Sequence, residues 1–429
     1  MDITIQPGKL NGSIHAIASK SQAHRVLICA AFSDAPTTII CSTTNKDIEA
    51  TVSCLNALGA SVVHTEDGYQ VTPVKSLPKT AHLDCAESGS TLRFMLPIVC
   101  ALGIETTIHM SGRLPYRPLS PLWEELERSG CLLSRPTEQT IYTKGKLRAG
   151  EYIIAGNVSS QYISGLLFGL SMVEGESQIH IIGNLESKPY VEMTQHVLKT
   201  FGVNTENYHI CGCVPYHSPG NISIEGDWSN AAFFLVANEL SNCVEIFNLN
   251  LLSLQGDRAI TSILSINDTS PTISAADIPD LIPILAVYFA AKDGAAFTNI
   301  SRLRLKESDR VATVISLLRS LGINAHADDS TLWVCAGKFK GGIVDAENDH
   351  RIAMAAAIAS TVAEGPITIL GAECVSKSYP SFWQEFRQLG GQYEQYIRLK
   401  TEIIYFWTVS WSGNRYDFRW NSCRIASRY

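Results

Sequence analysis

Long apolar runs are missing from this chain of 429 residues. No stretch of about 18 residues is both apolar and uncharged, so the sequence excludes a membrane-spanning helix. A basic excess is missing too. The 34 lysines and arginines are outnumbered by 41 acids, giving a formal net charge of −7. That excludes a nucleic-acid coat or a polybasic membrane binder. The start, Met1-Asp2-Ile3-Thr4-Ile5, has no basic head and no apolar core of a secretion signal. A cytoplasmic protein is expected.

Metal-ligand spacing is absent as well. The 12 cysteines are scattered, as at Cys29, Cys41, Cys54, Cys85, Cys100, Cys131 and Cys335, mostly in apolar stretches. The close pair Cys211 and Cys213 has no second Cys/His pair at zinc spacing. Reduced cysteines behaving as small hydrophobes are expected, with no metal site. What the chain does have is 45% hydrophobic residues, enough to bury two or three ordinary cores.

A short pattern recurs: apolar, two fillers, apolar or small, then glycine. It closes on Gly59, Gly130, Gly202, Gly322 and Gly390, with a sixth copy, Ile263–Asn267, that ends on asparagine. Glycine ends helices because it enters the left-handed conformation without steric cost, and asparagine is next best. Most copies precede an alternating or β-branched stretch, such as Ala60–His64 or Ala325–Ala327 followed by Thr331–Val334. Period-two alternation reads as strand. Each unit therefore closes as helix, glycine cap, hairpin. Units of about 55–72 residues are too long for a solenoid and suit a βαβ unit with an added hairpin. Six units make two domains of three, with a boundary near Pro219–Asn230.

Polar side chains and turn residues cluster at predicted helix starts. Lys20, Ser21 and Arg25 precede Val26–Ala31; Gly89 and Arg93 follow Ser88; Ser159, Ser160 and Gln161 precede another apolar run. Leu303–Arg310 packs five charges into eight residues, and Asp349-His350-Arg351 opens a further apolar helix. Such starts offer backbone N–H groups, hydroxyls and cations together, which is an anion site by construction. Singly, each also reads as an ordinary capped turn. Together they place Lys20, Arg25, Arg117, Lys306, Arg310, Arg351 and Lys377 at loop–helix junctions of an acidic protein. Two polyanionic small molecules account for so many cations.

These segments, in order, resemble the EPSP synthase (3-phosphoshikimate 1-carboxyvinyltransferase) family from about residue 2 to about residue 391. The matching pieces are Ser19-Lys20-Ser21 with Arg25, Gly89 with Arg93, Arg117-Pro118, Ser159-Ser160-Gln161, Ser187-Lys188-Pro189-Tyr190, Ile278-Pro279-Asp280, Lys306–Arg310, Asp349-His350-Arg351 and Lys377. The resemblance implies an α/β (α+β) fold of two domains, each of three βαβαββ units, with substrates in the cleft between them. It implies a first domain of residues 1–18 plus 227–391 and a second of 19–226. Residues 392–429 have no counterpart in it. Their eight aromatics beyond residue 398 favour a foreign or out-of-frame end.

The implied reaction, in aromatic amino-acid (chorismate) biosynthesis, joins 3-phosphoshikimate to phosphoenolpyruvate and releases phosphate. The 5-hydroxyl attacks C2 of the enol, C3 takes a proton, and a tetrahedral intermediate then loses phosphate. This needs a base, an acid and cations, with no metal or other cofactor. By resemblance, Lys20, Ser21, Arg25, Ser159, Ser160, Gln161, Ser187, Tyr190, Asp280 and Lys306 hold 3-phosphoshikimate. Lys20, Gly89, Arg117, Gln161, Arg310, Arg351 and Lys377 hold phosphoenolpyruvate. Asp280 is the expected proton acceptor, Glu307 and Lys20 the candidates for the C3 proton, and His350 orients the leaving-group side. Gly89, lacking Cβ, would leave room for the inhibitor glyphosate. No nucleic-acid or membrane partner is expected, and a monomer is.

Three positions depart from the family pattern: Glu87 and Arg302 where asparagine is common, and Phe94 where proline is. The asparagine contact to shikimate is therefore not expected from Arg302. Besides a catalytically dead paralogue, which the nearly complete charged set disfavours, two rivals stand beside this reading. One is the sister enolpyruvyl transferase acting on UDP-N-acetylglucosamine, which usually has Lys-Asn at the position of Lys20-Ser21 and a loop cysteine before its Arg-Pro. The other is a nucleic-acid end-processing protein, which the net charge disfavours.

Overall fold

The computed structural model describes residues 1–398, 404–412 and 415–423. The described residues hold twelve α-helices: α1 Lys20–Ala31, α2 Lys46–Ala57, α3 Gly89–Leu102, α4 Leu122–Arg128, α5 Ser160–Ser171, α6 Lys188–Thr200, α7 Trp228–Glu239, α8 Ile260–Leu264, α9 Ile282–Ala290, α10 Arg310–Ser320, α11 His350–Ala359 and α12 Phe382–Gln388. They alternate in character. Four of the odd-numbered helices, α3, α5, α9 and α11, are apolar nearly all round and almost wholly buried. A helix without a polar face has to lie inside. The even-numbered ones, such as α2, α6 and α10, bury one stripe and expose the other.

Six small sheets cover these helices among the described residues. In one, Thr80–Asp84 runs parallel to Glu105–His109, which pairs antiparallel with Thr140–Gly145, itself antiparallel to Cys131–Thr137. Thr272–Ser274, Ala295–Thr298, Thr331–Val334 and Ala325–Ala327 repeat the same order and senses. Each is a βαβαββ unit. Thr80–Asp84 buries alternate residues, so one face meets the helices and the other meets water.

Five predicted helix-ending glycines have φ between +86° and +109°. The sixth copy differs. Asn267 is not left-handed, and no hairpin follows α8, because the chain passes directly into Thr272–Ser274, the first strand of the next unit. Cysteine is unpaired throughout the described residues. Six of the seven scattered positions named above are buried, and Cys335 is exposed.

Two hydrophobic cores form. One draws on Ile3–Ile17 and Trp228–Leu389, the other on Ala18–Ile224. The chain crosses between them twice, and the two crossings pair: Ala18 bridges Gly226, Ser19 N donates to Glu225 O (2.8 Å) and Asp227 N to Ile17 O (2.8 Å). We propose that the cores mark two domains, 1–18 with 227–391 and 19–226. The strand just before each crossing pairs within its own core's segment. Asn11–His15 pairs with Cys243–Phe247, and Asn221–Ser223 with Thr37–Ile40.

Asp2–Ile5 lies between Ile367–Leu370 and Tyr393–Arg398. The sheet therefore takes in the first residues of the segment expected to stand apart from 392 onward. Tyr393 is fixed there by Arg387, 4.2 Å above its ring, and by a hydrogen bond from its hydroxyl to Trp383 O (3.0 Å). Ile404–Ser412 and Arg415–Cys423 extend the sheet by two antiparallel strands. The expectation about the tail's aromatic rings falls outside the described side chains.

Candidate active site

Local sequence sets the helix starts. Ser19, Ser88, Ser159, Asp309 and Asp349 each cap a helix by accepting a hydrogen bond from a backbone N–H in its first turn. The first residues of α1, α3 and α5 border one cavity, and His350, the first residue of α11, borders a smaller one beside it. Helix N-termini carry partial positive charge and free N–H groups, so these cavities suit anions.

All ten residues expected around 3-phosphoshikimate line the larger cavity: Lys20, Ser21, Arg25, Ser159, Ser160, Gln161, Ser187, Tyr190, Asp280 and Lys306. The set expected around phosphoenolpyruvate divides. Lys20, Gly89, Arg117 and Gln161 line the larger cavity. Arg117 also lines the smaller one, with Glu307, His350 and Lys377. Arg310 and Arg351 sit behind the wall. The Arg310 guanidinium takes three carboxylates: Asp349 Oδ2 at 2.8 Å, Asp280 Oδ1 at 2.5 Å and Glu307 Oε2 at 2.5 Å. Arg351 reaches Asp280 Oδ2 at 3.1 Å.

Asp280 is thus an anion held among cations. Burial alone would raise its pKa, but Arg351, Lys306 and Arg310 outweigh that and hold it well below the usual carboxylate range. Glu307 behaves alike: burial raises it, and Arg310 and Arg117 bring it well below the ordinary value. Lys20 is the reverse case. Burial works against its charge, yet Asp47, 2.8 Å from Nζ, lifts its pKa above the ordinary value. Burial pulls the Lys306 ammonium down to about 8, with Arg302 and Arg310 adding to the fall and Asp280 resisting it. His350 is buried, neither ring nitrogen has a hydrogen-bond partner among the described residues, and burial with Arg351 and Lys20 keeps it neutral.

Other side chains are used internally. Arg25 donates from Nε to Thr194 Oγ1 (2.7 Å), from Nη1 to Ser21 O (2.6 Å) and from Nη2 to Tyr190 O (2.9 Å). Lys377 Nζ donates to Glu87 Oε2 (2.7 Å) and to Asn348 O (2.9 Å).

Sequence reasoning missed four participants. Asp47 fixes Lys20. Arg93, named only as part of a motif, donates to Gln161 Oε1 (3.1 Å) and lines the larger cavity. Glu87, flagged only as a departure, holds Lys377. Asp257 accepts from the Tyr190 hydroxyl (3.0 Å) and from Ser229, and burial with Asp280 nearby pushes it up to about 6. The only signal for Asp47 was its place two residues into a capped helix, which marks many acids that have no such role.

Known proteins agree with this architecture. The family model described as EPSP synthase (3-phosphoshikimate 1-carboxyvinyltransferase) matches residues 5–270 and 267–386. The chain belongs to the EPSP synthase family. A relative named 3-phosphoshikimate 1-carboxyvinyltransferase from Clostridium acetobutylicum is 38% identical over 424 residues, spanning 92% of this chain and 98% of the relative. One of the same name from Brachyspira hyodysenteriae is 36% identical, covering 91% and 99%. Among solved structures, an EPSP synthase from Acinetobacter baumannii covers 92% of this chain and all of its own, with a TM-score of 0.74 at 22% identity. The enolpyruvyl transferase NikO from Streptomyces tendae covers 91% of this chain and 98% of its own, with a TM-score of 0.73 at 16% identity. These two establish the EPSP synthase fold for the chain: mixed α/β, built from several small sheets.

Proposed function

We propose that the chain transfers the enolpyruvyl group of phosphoenolpyruvate to the 5-hydroxyl of 3-phosphoshikimate, releasing phosphate, as a step of aromatic amino-acid biosynthesis. The observation that carries the site assignment is Asp280: an ionised carboxylate at the cavity wall, set among Lys306, Arg310 and Arg351.

In this reading the larger cavity takes 3-phosphoshikimate, with Ser159, Ser160 and Ser187 toward its phosphate and Tyr190 against its ring. Phosphoenolpyruvate bridges the two cavities between Lys20, Gly89, Gln161, Arg117 and Lys377. Arg310 and Arg351 act through Asp280 and Glu307, fixing their carboxylates. Asp280, already ionised, accepts the proton of the attacking hydroxyl. The C3 methylene needs a donor that holds a proton before chemistry begins. Lys20 meets that condition and Glu307 does not, so Lys20 is the donor, and Glu307 steadies Arg117, whose Nη1 lies 3.6 Å from Glu307 Oε1. As the C2–O bond to phosphate breaks, C3 gives a proton back to the now neutral Lys20 and Asp280 passes its proton to the leaving phosphate, which forms the enol ether and restores both residues. His350 packs, uncharged, on the leaving-group side. No step calls for a metal or an organic cofactor.

One chain supplies every residue of the site, which supports a monomer as the working unit, and we place it in the cytoplasm. No helix among the described residues is long and apolar enough to cross a membrane.

The test is product analysis. Incubated with both substrates, the enzyme should release one phosphate per 3-phosphoshikimate consumed and yield the enolpyruvyl ether by mass spectrometry. Turnover with UDP-N-acetylglucosamine as acceptor, or none with 3-phosphoshikimate, would refute the proposal.

A further inference from the structure

Arg302 lies in the short turn Ser301–Leu305 of the first domain and lines the larger cavity. Its side chain, only 9% exposed, crosses to the second domain. There Nη1 donates to Ser187 Oγ at 3.1 Å and meets Glu186 Oε2 at 3.3 Å. Among the described residues Nε and Nη2 have no partner, so much of the guanidinium's donor capacity is unused.

Several other cations on that wall already have protein partners, although Arg93 Nε and Arg117 Nε have none among the described residues. Arg25 has a protein acceptor for each nitrogen, Lys20 is held by Asp47, Arg117 lies beside Glu307, and Lys306 Nζ is 3.7 Å from Asp280 Oδ1. Ser159, Ser160 and Ser187 offer hydroxyls, which carry no charge. A phosphate monoester brings about −1.5 to −2 at neutral pH and is best met by a planar, bidentate donor. Near Ser187 it would also face two carboxylates, Glu186 and Asp277, the latter accepting from Lys188 N at 3.2 Å. Something cationic must offset them.

We infer that Arg302 is the phosphate-gripping arm for the acceptor substrate: its free N–H groups take the phosphate oxygens beside Ser187, and it sets the preference for a phosphorylated over an unphosphorylated acceptor. Glu186 holds the guanidinium in place while the site is empty and gives way when the dianion enters. The inference rests on the functional reading above and adds to it a specificity-determining residue.

The experiment compares wild type, Arg302→Gln, Arg302→Lys and Glu186→Gln with 3-phosphoshikimate and with shikimate as acceptors. Arg302→Gln should raise KM for 3-phosphoshikimate about 10- to 100-fold, the range of a charged hydrogen-bonded contact. KM for phosphoenolpyruvate and kcat should stay within about 2-fold, and Arg302→Lys should recover part of the loss. The preference for 3-phosphoshikimate over shikimate should fall by the same factor, which a merely structural role would not produce. If Arg302→Gln does not fold, Glu186→Gln decides: removing the competing carboxylate should lower KM for 3-phosphoshikimate several-fold, and an unchanged or higher value overturns the inference. An unchanged KM in Arg302→Gln, or an equal loss with shikimate, also overturns it while the functional reading survives. A wild-type chain inactive with 3-phosphoshikimate overturns both.

Discussion

Lys306 is a cavity residue whose charge changes within reach of the working pH. Its ammonium, pulled from the ordinary lysine range down to about 8, is present below that pH and lost above it. A dianionic substrate binds the charged form, so KM for 3-phosphoshikimate should climb as pH rises past about 8, approaching tenfold per unit. Lys306→Arg should flatten that rise, which a pH series of initial rates would reveal. Gly89 makes a steric case. A Cβ there would lie 2.5 Å from Arg93 Nη1 and 2.8 Å from Arg117 Nη1, so both guanidiniums must move. Gly89→Ala should raise KM for phosphoenolpyruvate while weakening glyphosate inhibition by a larger factor. Inhibition and substrate kinetics on one preparation check this, and an unchanged inhibition constant would contradict the placement. Such residues were legible because their type and local setting reveal them: a serine or aspartate before an apolar run, a glycine after one. Asp47, Glu87 and Asp257 were not legible. Their meaning lies in partners as many as 290 positions away, Lys377 for Glu87, and sequence gives the group without its partner.

At the scale of elements, the packing of α3 on α5 sets how far apart their starts lie at the cavity. Gly165 and Gly169 on α5 meet the α3 backbone at Arg93 and Pro97, where a Cβ would fall 2.1 Å from Arg93 O and 2.8 Å from Pro97 O. Neither neighbour is a flexible side-chain end. Gly165→Ala should cost about 1–3 kcal/mol by overpacking and lower the thermal midpoint measurably. It should also lower activity, because spreading the helices separates Arg93 from Gln161. A variant with wild-type melting would show that the contact is looser than it looks. The helix endings were readable because left-handed geometry selects glycine so strongly. Asn267 misled for the same reason: asparagine tolerates that geometry without requiring it, and α8 ends in another way.

For the whole molecule, residues 1–18 return to the sheets of the first domain, and the N-terminal strand Asp2–Ile5 is held on one side by Tyr393–Arg398. Truncation after Gly391 should therefore destabilise the first domain, whereas truncation after Arg398 should leave melting and activity near those of the full chain. Equal behaviour of the two truncations would refute the structural role given to that strand. The repeating unit was visible in sequence from five of its six expected endings. The role of residues 393–398 was not, because strand pairing with a segment nearly 400 positions away leaves no local mark.

The account as a whole depends on Asp280 being the ionised base at the meeting point of both domains. The most direct measurement is steady-state phosphate release by Asp280→Asn with both substrates saturating. Loss of the base should lower kcat by about 10²- to 10⁴-fold in a variant that remains folded. A kcat within about threefold of wild type would contradict the assignment and the convergent site built around it.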